Sequence, residues 1–234
     1  MDVNGGREMA DVNGGGDMAD RFARVRGRIE RAGGDPERIT LVAVTKGFGP
    51  EVVAQARALG HADFGENYTV DLMRKAESLA VAPGAADGVR WHYLGAVQRT
   101  TARKLGALVD LWQGVDGLGA GERIAQAAPG ARVLVQVNVS GEPRKQGCTF
   151  DAAPGLVAGL RGLRLDVRGL MAVGPAGPPE GARAGFRRLA ELADGLGLSE
   201  RSMGMSGDLE VAVTEGATMV RLGTALFGPR PPHP

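Results

Sequence analysis

The chain has one cysteine, Cys148, so no disulfide can form within it, and the expectation is a protein kept in a reducing cytoplasm. No apolar run reaches 18 residues, which argues against a helical membrane span. The N-terminus lacks the basic-then-apolar layout of a secretory signal. Excess charge is absent too: 28 basic and 27 acidic residues leave +1 over 234 positions. The basic residues are spread along the chain, with no stripe for nucleic acid and no polybasic patch for a membrane surface. Histidines number three, and His61, His92 and His233 are too dispersed to form a metal site. Lysine is scarcer than its charge class implies, at four residues. Three of them follow an arginine, as Arg74-Lys75, Arg103-Lys104 and Arg144-Lys145, and read as solvated surface.

Lys46 is the exception. It ends the apolar, β-branched run 39–46, which reads as a strand buried on both faces. Desolvation there pushes an ammonium toward the neutral amine, and a neutral amine attacks aldehydes to form a Schiff base. The other reading is a strand-end lysine whose stem is buried and whose head reaches water.

Glycine is abundant, 38 of 234, but scattered, as tight strand–helix turns require. Residues 1–20 stand apart: Asp2-Val3-Asn4-Gly5-Gly6 recurs as Asp11-Val12-Asn13-Gly14-Gly15, and this segment is expected to be a disordered extension. From there on, strands and helices alternate. Strands are predicted over 39–46, 62–65, 91–94, 109–115, 132–139, 167–173, 202–205 and 219–222. Helices are predicted over 21–32, 51–59, 68–79, 100–107, 121–127, 153–161, 183–193 and 209–215. Strict alternation implies a parallel sheet, and eight units in about 200 residues fit a single (β/α)8 TIM barrel. A doubly wound open sheet is the alternative. The domain is predicted over 21–230, with a tail at 231–234.

A barrel carries its chemistry at the C-terminal ends of its strands. The residues there are Lys46, Glu66-Asn67, His92 with Gln98, Asn138, Met171, the run Gly204-Met205-Ser206-Gly207-Asp208, and Arg221 with Gly223-Thr224. Loops after strands 7 and 8 often bind phosphate through backbone N–H groups. Ser206 and Gly223-Thr224 therefore stand as a phosphate cradle or as ordinary caps. A lysine facing such a cradle fits a phosphorylated aldehyde, either pyridoxal phosphate or a sugar phosphate. Arg221 reads either as half of a salt bridge or as a group facing a ligand acceptor. In Gly117-Leu118-Gly119-Ala120-Gly121 the third glycine comes one position early for a dinucleotide site, and no acid ends the next strand. Gly204–Asp208 lacks the last glycine of a nucleophile elbow.

Taken together, these segments resemble the pyridoxal phosphate homeostasis family, single-domain relatives of the alanine racemase barrel. The resemblance rests on Leu41-Val42-Ala43-Val44-Thr45-Lys46, Phe64-Gly65-Glu66-Asn67-Tyr68, Trp91-His92-Tyr93-Leu94-Gly95 with Gln98, and Val137-Asn138-Val139-Ser140. It continues through Glu142, Lys145 and Gly147, Arg168-Gly169-Leu170-Met171-Ala172, Gly204-Met205-Ser206 with Asp208, and 219–228. It implies that Lys46 carries pyridoxal 5'-phosphate as a Schiff base, that Ser206, Gly223 and Thr224 hold the phosphate, and that Arg221 faces the pyridine nitrogen. Asn67 would lie beside the cofactor, with His92 and Met171 lining the pocket.

The implied role is carrying or buffering the cofactor inside the cell, with pyridoxal-phosphate-dependent apo-enzymes as partners and a monomeric chain. An amino-acid racemase is the alternative. Two-base racemases of the related fold add a tyrosine from a second, β-rich domain, whereas this chain has only Tyr68 and Tyr93. A cofactor-free Schiff-base aldolase would have only Glu66 and Asp208 as acidic partners for Lys46. The chain departs from the family at Arg99-Thr100-Thr101, where a small residue and Asn-Lys are usual, and in a first helix shortened before Asp35.

Overall fold

The computed structural model describes residues 18–81 and 87–230; the repeat of residues 1–17 and the tail 231–234 lie outside them. Eight parallel strands close into one barrel in sequence order, each joined to the next through a helix. The first half runs α1 (Met18–Arg31), β1 (Thr40–Val44), α2 (Glu51–Ala58), β2 (Asp63–Glu66), α3 (Thr69–Ala80), β3 (Arg90–Tyr93), α4 (Arg99–Leu105) and β4 (Val109–Val115). The second runs α5 (Leu118–Ala127), β5 (Arg132–Gln136), α6 (Ala153–Gly162), β6 (Asp166–Met171), α7 (Arg183–Gly195), β7 (Glu200–Ser202), α8 (Leu209–Thr214), β8 (Met219–Leu222) and the short α9 (Thr224–Phe227). The TIM-barrel expectation holds and the open-sheet alternative falls, because β8 pairs with β1 from Thr40↔Met219 to Ala43↔Leu222.

Alternation across each strand separates two cores. Outward side chains such as Phe64, Trp112, Val133 and Val220 pack under the helices, which present apolar stripes to them. In α1 the stripe is Phe22, Val25 and Ile29, with Asp20 in the first turn and Arg28 and Arg31 in the last, as the helix dipole favours. Inward side chains Val42, Leu111, Leu134, Met171 and Met219 form the apolar filling of the barrel.

Several predicted boundaries are corrected. Helix α1 starts at Met18, so residues 18–20 belong to the folded unit. Strand β1 stops at Val44, two residues before Lys46. Strand β5 stops at Gln136, leaving Asn138 in a loop, and β7 covers only 200–202. Gly204 then turns the chain at φ +97°, a conformation that glycine adopts freely.

Candidate cofactor site

The C-terminal mouth of the barrel holds a cavity of about 360 Å³. Its lining includes Lys46, Asn67, Met171, Ser206, Arg221, Gly223 and Thr224, seven of the eight residues proposed from sequence. A larger cleft, about 550 Å³, opens at the other end of the barrel between α1 and the starts of β1 and β2, and none of those residues reaches it.

Lys46 sits in the β1–α2 loop, half-buried. Burial lowers its pKa, the Arg230 and Arg221 cations lower it further, and Glu66 opposes them. A buried network fixes the loop from below. Lys75, from α3, donates to the Thr45 carbonyl (2.7 Å), the Thr45 hydroxyl (3.2 Å) and Glu66 Oε2 (2.5 Å). Glu66 Oε1 accepts the Asn67 N–H (2.8 Å). One ion pair with both side chains fully buried thus ties the Lys46 loop to the Asn67 loop. This corrects the surface reading of Lys75: it shares the inward face of α3 with Leu72 and Leu79.

Arg221 reaches the mouth from β8. Its Nη1 donates to Ser202 Oγ (2.8 Å) and its Nη2 to the Ala172 carbonyl (2.7 Å). Burial lowers its pKa to about 10 and Asp208 counteracts this, so it stays a cation at neutral pH. Among the described residues it has no ion-pair partner. The Ser206 loop is braced twice: Asp208 Oδ1 accepts the Met205 N–H (2.6 Å), and Arg28 of α1 donates to the Ser206 carbonyl (3.0 Å). Gly223 lets the β8–α9 turn close on β1, since a Cβ there would sit 3.0 Å from the Val44 carbonyl.

His92 is the eighth proposed residue, and it is corrected: it lies below the cavity, buried, bonded to Asp63 and Gln113. Leu94, two positions on, lines the mouth instead. Asn138 shapes its own loop, donating to the Glu142 carbonyl (2.8 Å). Sequence reasoning missed Gln136, Gln146, Val173 and Arg230, which also line the cavity. Gln136 was findable as the last residue of β5. Arg230 was not, because only the fold brings the end of the chain against Gly47 beside Lys46.

Residues present here suit a phosphorylated pyridine aldehyde. The Asn67 side-chain oxygen is buried in the cavity lining without a partner, a polar atom that a bound group would satisfy. Lys46 supplies an amine, Arg221 a buried cation, and the Ser206 and Gly223-Thr224 turns supply hydroxyls and exposed backbone. No group of three or more His, Cys, Asp or Glu among the described residues could hold a metal ion.

A closed parallel barrel with a lysine after its first strand and an arginine in its last defines a class, and residues 19–231 match the family model described as alanine racemase, N-terminal domain. Two relatives narrow it. The chain is 40% identical over 216 residues to the pyridoxal phosphate homeostasis protein of Pseudomonas aeruginosa, covering 89% of this chain and 92% of that one. It is 36% identical over 229 residues to the protein of that name in Escherichia coli strain K12, covering 89% and 95%. The structure of PipY from Synechococcus elongatus with PLP bound aligns at a TM-score of 0.76 and 30% identity, over 91% of this chain and all of that one. The chain belongs to the alanine racemase N-terminal-domain family, in its pyridoxal phosphate homeostasis branch.

Proposed function

We propose that the chain binds pyridoxal 5'-phosphate at the barrel mouth and serves its homeostasis, carrying or buffering the cofactor. The observation that carries this reading is one cavity uniting Lys46, with its lowered pKa, and Arg221, a buried cation without an ion-pair partner. When bound, the cofactor supplies an aldehyde that condenses with an amine and a ring that accepts electrons. Lys46 is the residue to hold it covalently. Ser206, Gly223 and Thr224 hold its phosphate, Asn67 and Met171 flank its ring, and Arg221 faces the ring nitrogen.

Two adjacent cations repel, so the Arg221 charge disfavours a proton on that nitrogen and weakens the ring as an electron sink. A second proton-transferring group is also missing from the described lining. Tyr68 is exposed, and Tyr93 is buried with its hydroxyl 3.5 Å from Thr69. We therefore read the role as carriage rather than turnover, and propose transfer to apo-enzymes that need the cofactor and a single chain as the working unit.

The purified protein should absorb at the violet edge of the visible and lose that band on borohydride reduction, and peptide mapping should then find the label on Lys46. A label on Lys75, Lys104 or Lys145 would sink the assignment. Rapid α-proton exchange of amino acids in heavy water, at about 1 per second or faster, would establish an enzyme instead.

A further inference from the structure

One lane of the barrel interior is polar. Starting at the mouth, Arg221 Nη1 meets Ser202 Oγ (2.8 Å) and Ser202 Oγ meets Gln113 Oε1 (2.7 Å). Gln113 Nε2 then meets His92 Nδ1 (2.8 Å), and His92 Nε2 meets Asp63 Oδ1 (3.1 Å). All five residues are buried. The path crosses from β8 through β7, β4 and β3 to the first residue of β2, at the far end of the barrel.

The Gln113 amide is oriented with Nε2 toward His92 and Met219 Sδ (3.0 Å), and with that orientation the inventory of donors sets the direction of every bond. A guanidinium only donates, so Ser202 Oγ accepts from Arg221 and passes its single proton to Gln113 Oε1. The amide nitrogen of Gln113 must then donate to His92 Nδ1. His92 accordingly carries its proton on Nε2 and donates to Asp63. Four donors point the same way, from a cation to an anion, and bonds aligned head to tail polarise one another. Asp63 also accepts two bonds from Arg90, at 2.7 and 2.5 Å.

Beside this file stand the buried apolar side chains of Val42, Leu111, Leu134, Met171 and Met219. A buried polar file is costly unless every member is satisfied, and this one ends on a residue of the cavity wall. We infer that Gln113 and His92 are positioning residues for the site: they connect Asp63 to Arg221 and hold the guanidinium in the mouth. The inference rests on the reading of Arg221 as ligand-facing, whereas the hydrogen-bond chain can be tested without any ligand.

The test uses the full-length protein freed of cofactor and carrying 15N-labelled histidine, read by long-range 1H–15N correlation. In the wild type, His92 should show the Nε2–H tautomer with Nδ1 unprotonated. Ser202→Ala, which does not touch His92, should still shift the Nδ1 resonance, because Gln113 loses its donor; a side chain that only fills space predicts no shift. Gln113→Glu should protonate both ring nitrogens by placing an acceptor against Nδ1. Gln113→Leu, similar in size, should weaken pyridoxal phosphate binding about tenfold, the loss of one hydrogen bond's worth of restraint on a charged group.

A wild-type His92 protonated on Nδ1 would overturn the inference. So would an unmoved Nδ1 signal in Ser202→Ala together with wild-type affinity in Gln113→Leu. Should Gln113→Leu not fold, the tautomer and the Ser202→Ala shift decide. A borohydride label away from Lys46, with the tautomer and shift as expected, would overturn the proposed ligand chemistry and leave the chain of bonds supported.

Discussion

Lys46 and Lys75 show how differently one residue type reads from sequence. Lys46 was legible because an apolar β-branched run leads into it, and the family resemblance assigned it a role. Lys75 was not, because the arginine beside it suggested solvent. Its spacing from Leu72 and Leu79 places it on the buried stripe of α3, and Glu66, nine residues upstream, supplies its counter-charge. Removing one partner of a buried ion pair leaves the other uncompensated, which costs about 3–5 kcal/mol. Lys75→Met should therefore lower the urea midpoint sharply. The double variant Lys75→Met, Glu66→Gln should recover much of the loss, since the stranded carboxylate is gone. Equal loss in both would mean the pair contributes through shape alone.

At the scale of elements, order and type were readable and the ends were not. The run 39–46 is fully buried only from Val42 to Thr45, and the hydrogen-bonded ladder stops at Val44, because burial pattern reports which face is covered and not where pairing ends. The same confusion lengthened the predicted fifth strand past Gln136 and shifted the seventh. Where β7 ends, Gly204 carries both a positive φ and a tight contact: a Cβ would lie 2.6 Å from the Ala212 Cβ. Its carbonyl accepts the Arg221 N–H at 2.9 Å. Backbone strain of this kind costs about 1–3 kcal/mol. Gly204→Ala should thus lower the melting temperature by several degrees and weaken ligand retention together, while Gly207→Ala, where a Cβ meets nothing within 4 Å, should leave the melting temperature near that of the wild type. The departure at Thr100-Thr101 is absorbed locally, with Thr101 buried and its hydroxyl 3.0 Å from that of Thr69.

Across the whole molecule, β/α alternation was enough to anticipate the barrel, but what fills it was not. His92 was placed one layer too high, because nothing in a single strand says that Gln113 and Ser202, 21 and 110 positions on, stand against it or extend its bonding. Asp63 anchors this interior at the lower end. Burial raises its pKa, but bonds from His92 and Arg90 outweigh that and hold it well below the usual carboxylate range. A carboxyl so depressed adds stability above its unfolded pKa and loses it as pH falls toward the folded value. Asp63→Asn should therefore be less stable than wild type at neutral pH, and the gap should narrow as urea midpoints are followed into acid. A gap constant with pH would show that the charge is not what stabilises the fold.

The pairing of β8 with β1 also sets a schedule. Lys46 stands near the beginning of the chain and Gly223-Thr224 near its end, yet they face one cavity because the last strand closes on the first. At a synthesis rate of about 5–20 residues per second, roughly 9–36 seconds separate the emergence of Lys46 from that of Thr224. Throughout that interval a ribosome-bound chain presents the amine without the turns or the arginine that would retain a ligand. On the proposed reading only a complete barrel retains a ligand, so occupancy of the mouth would certify finished folding.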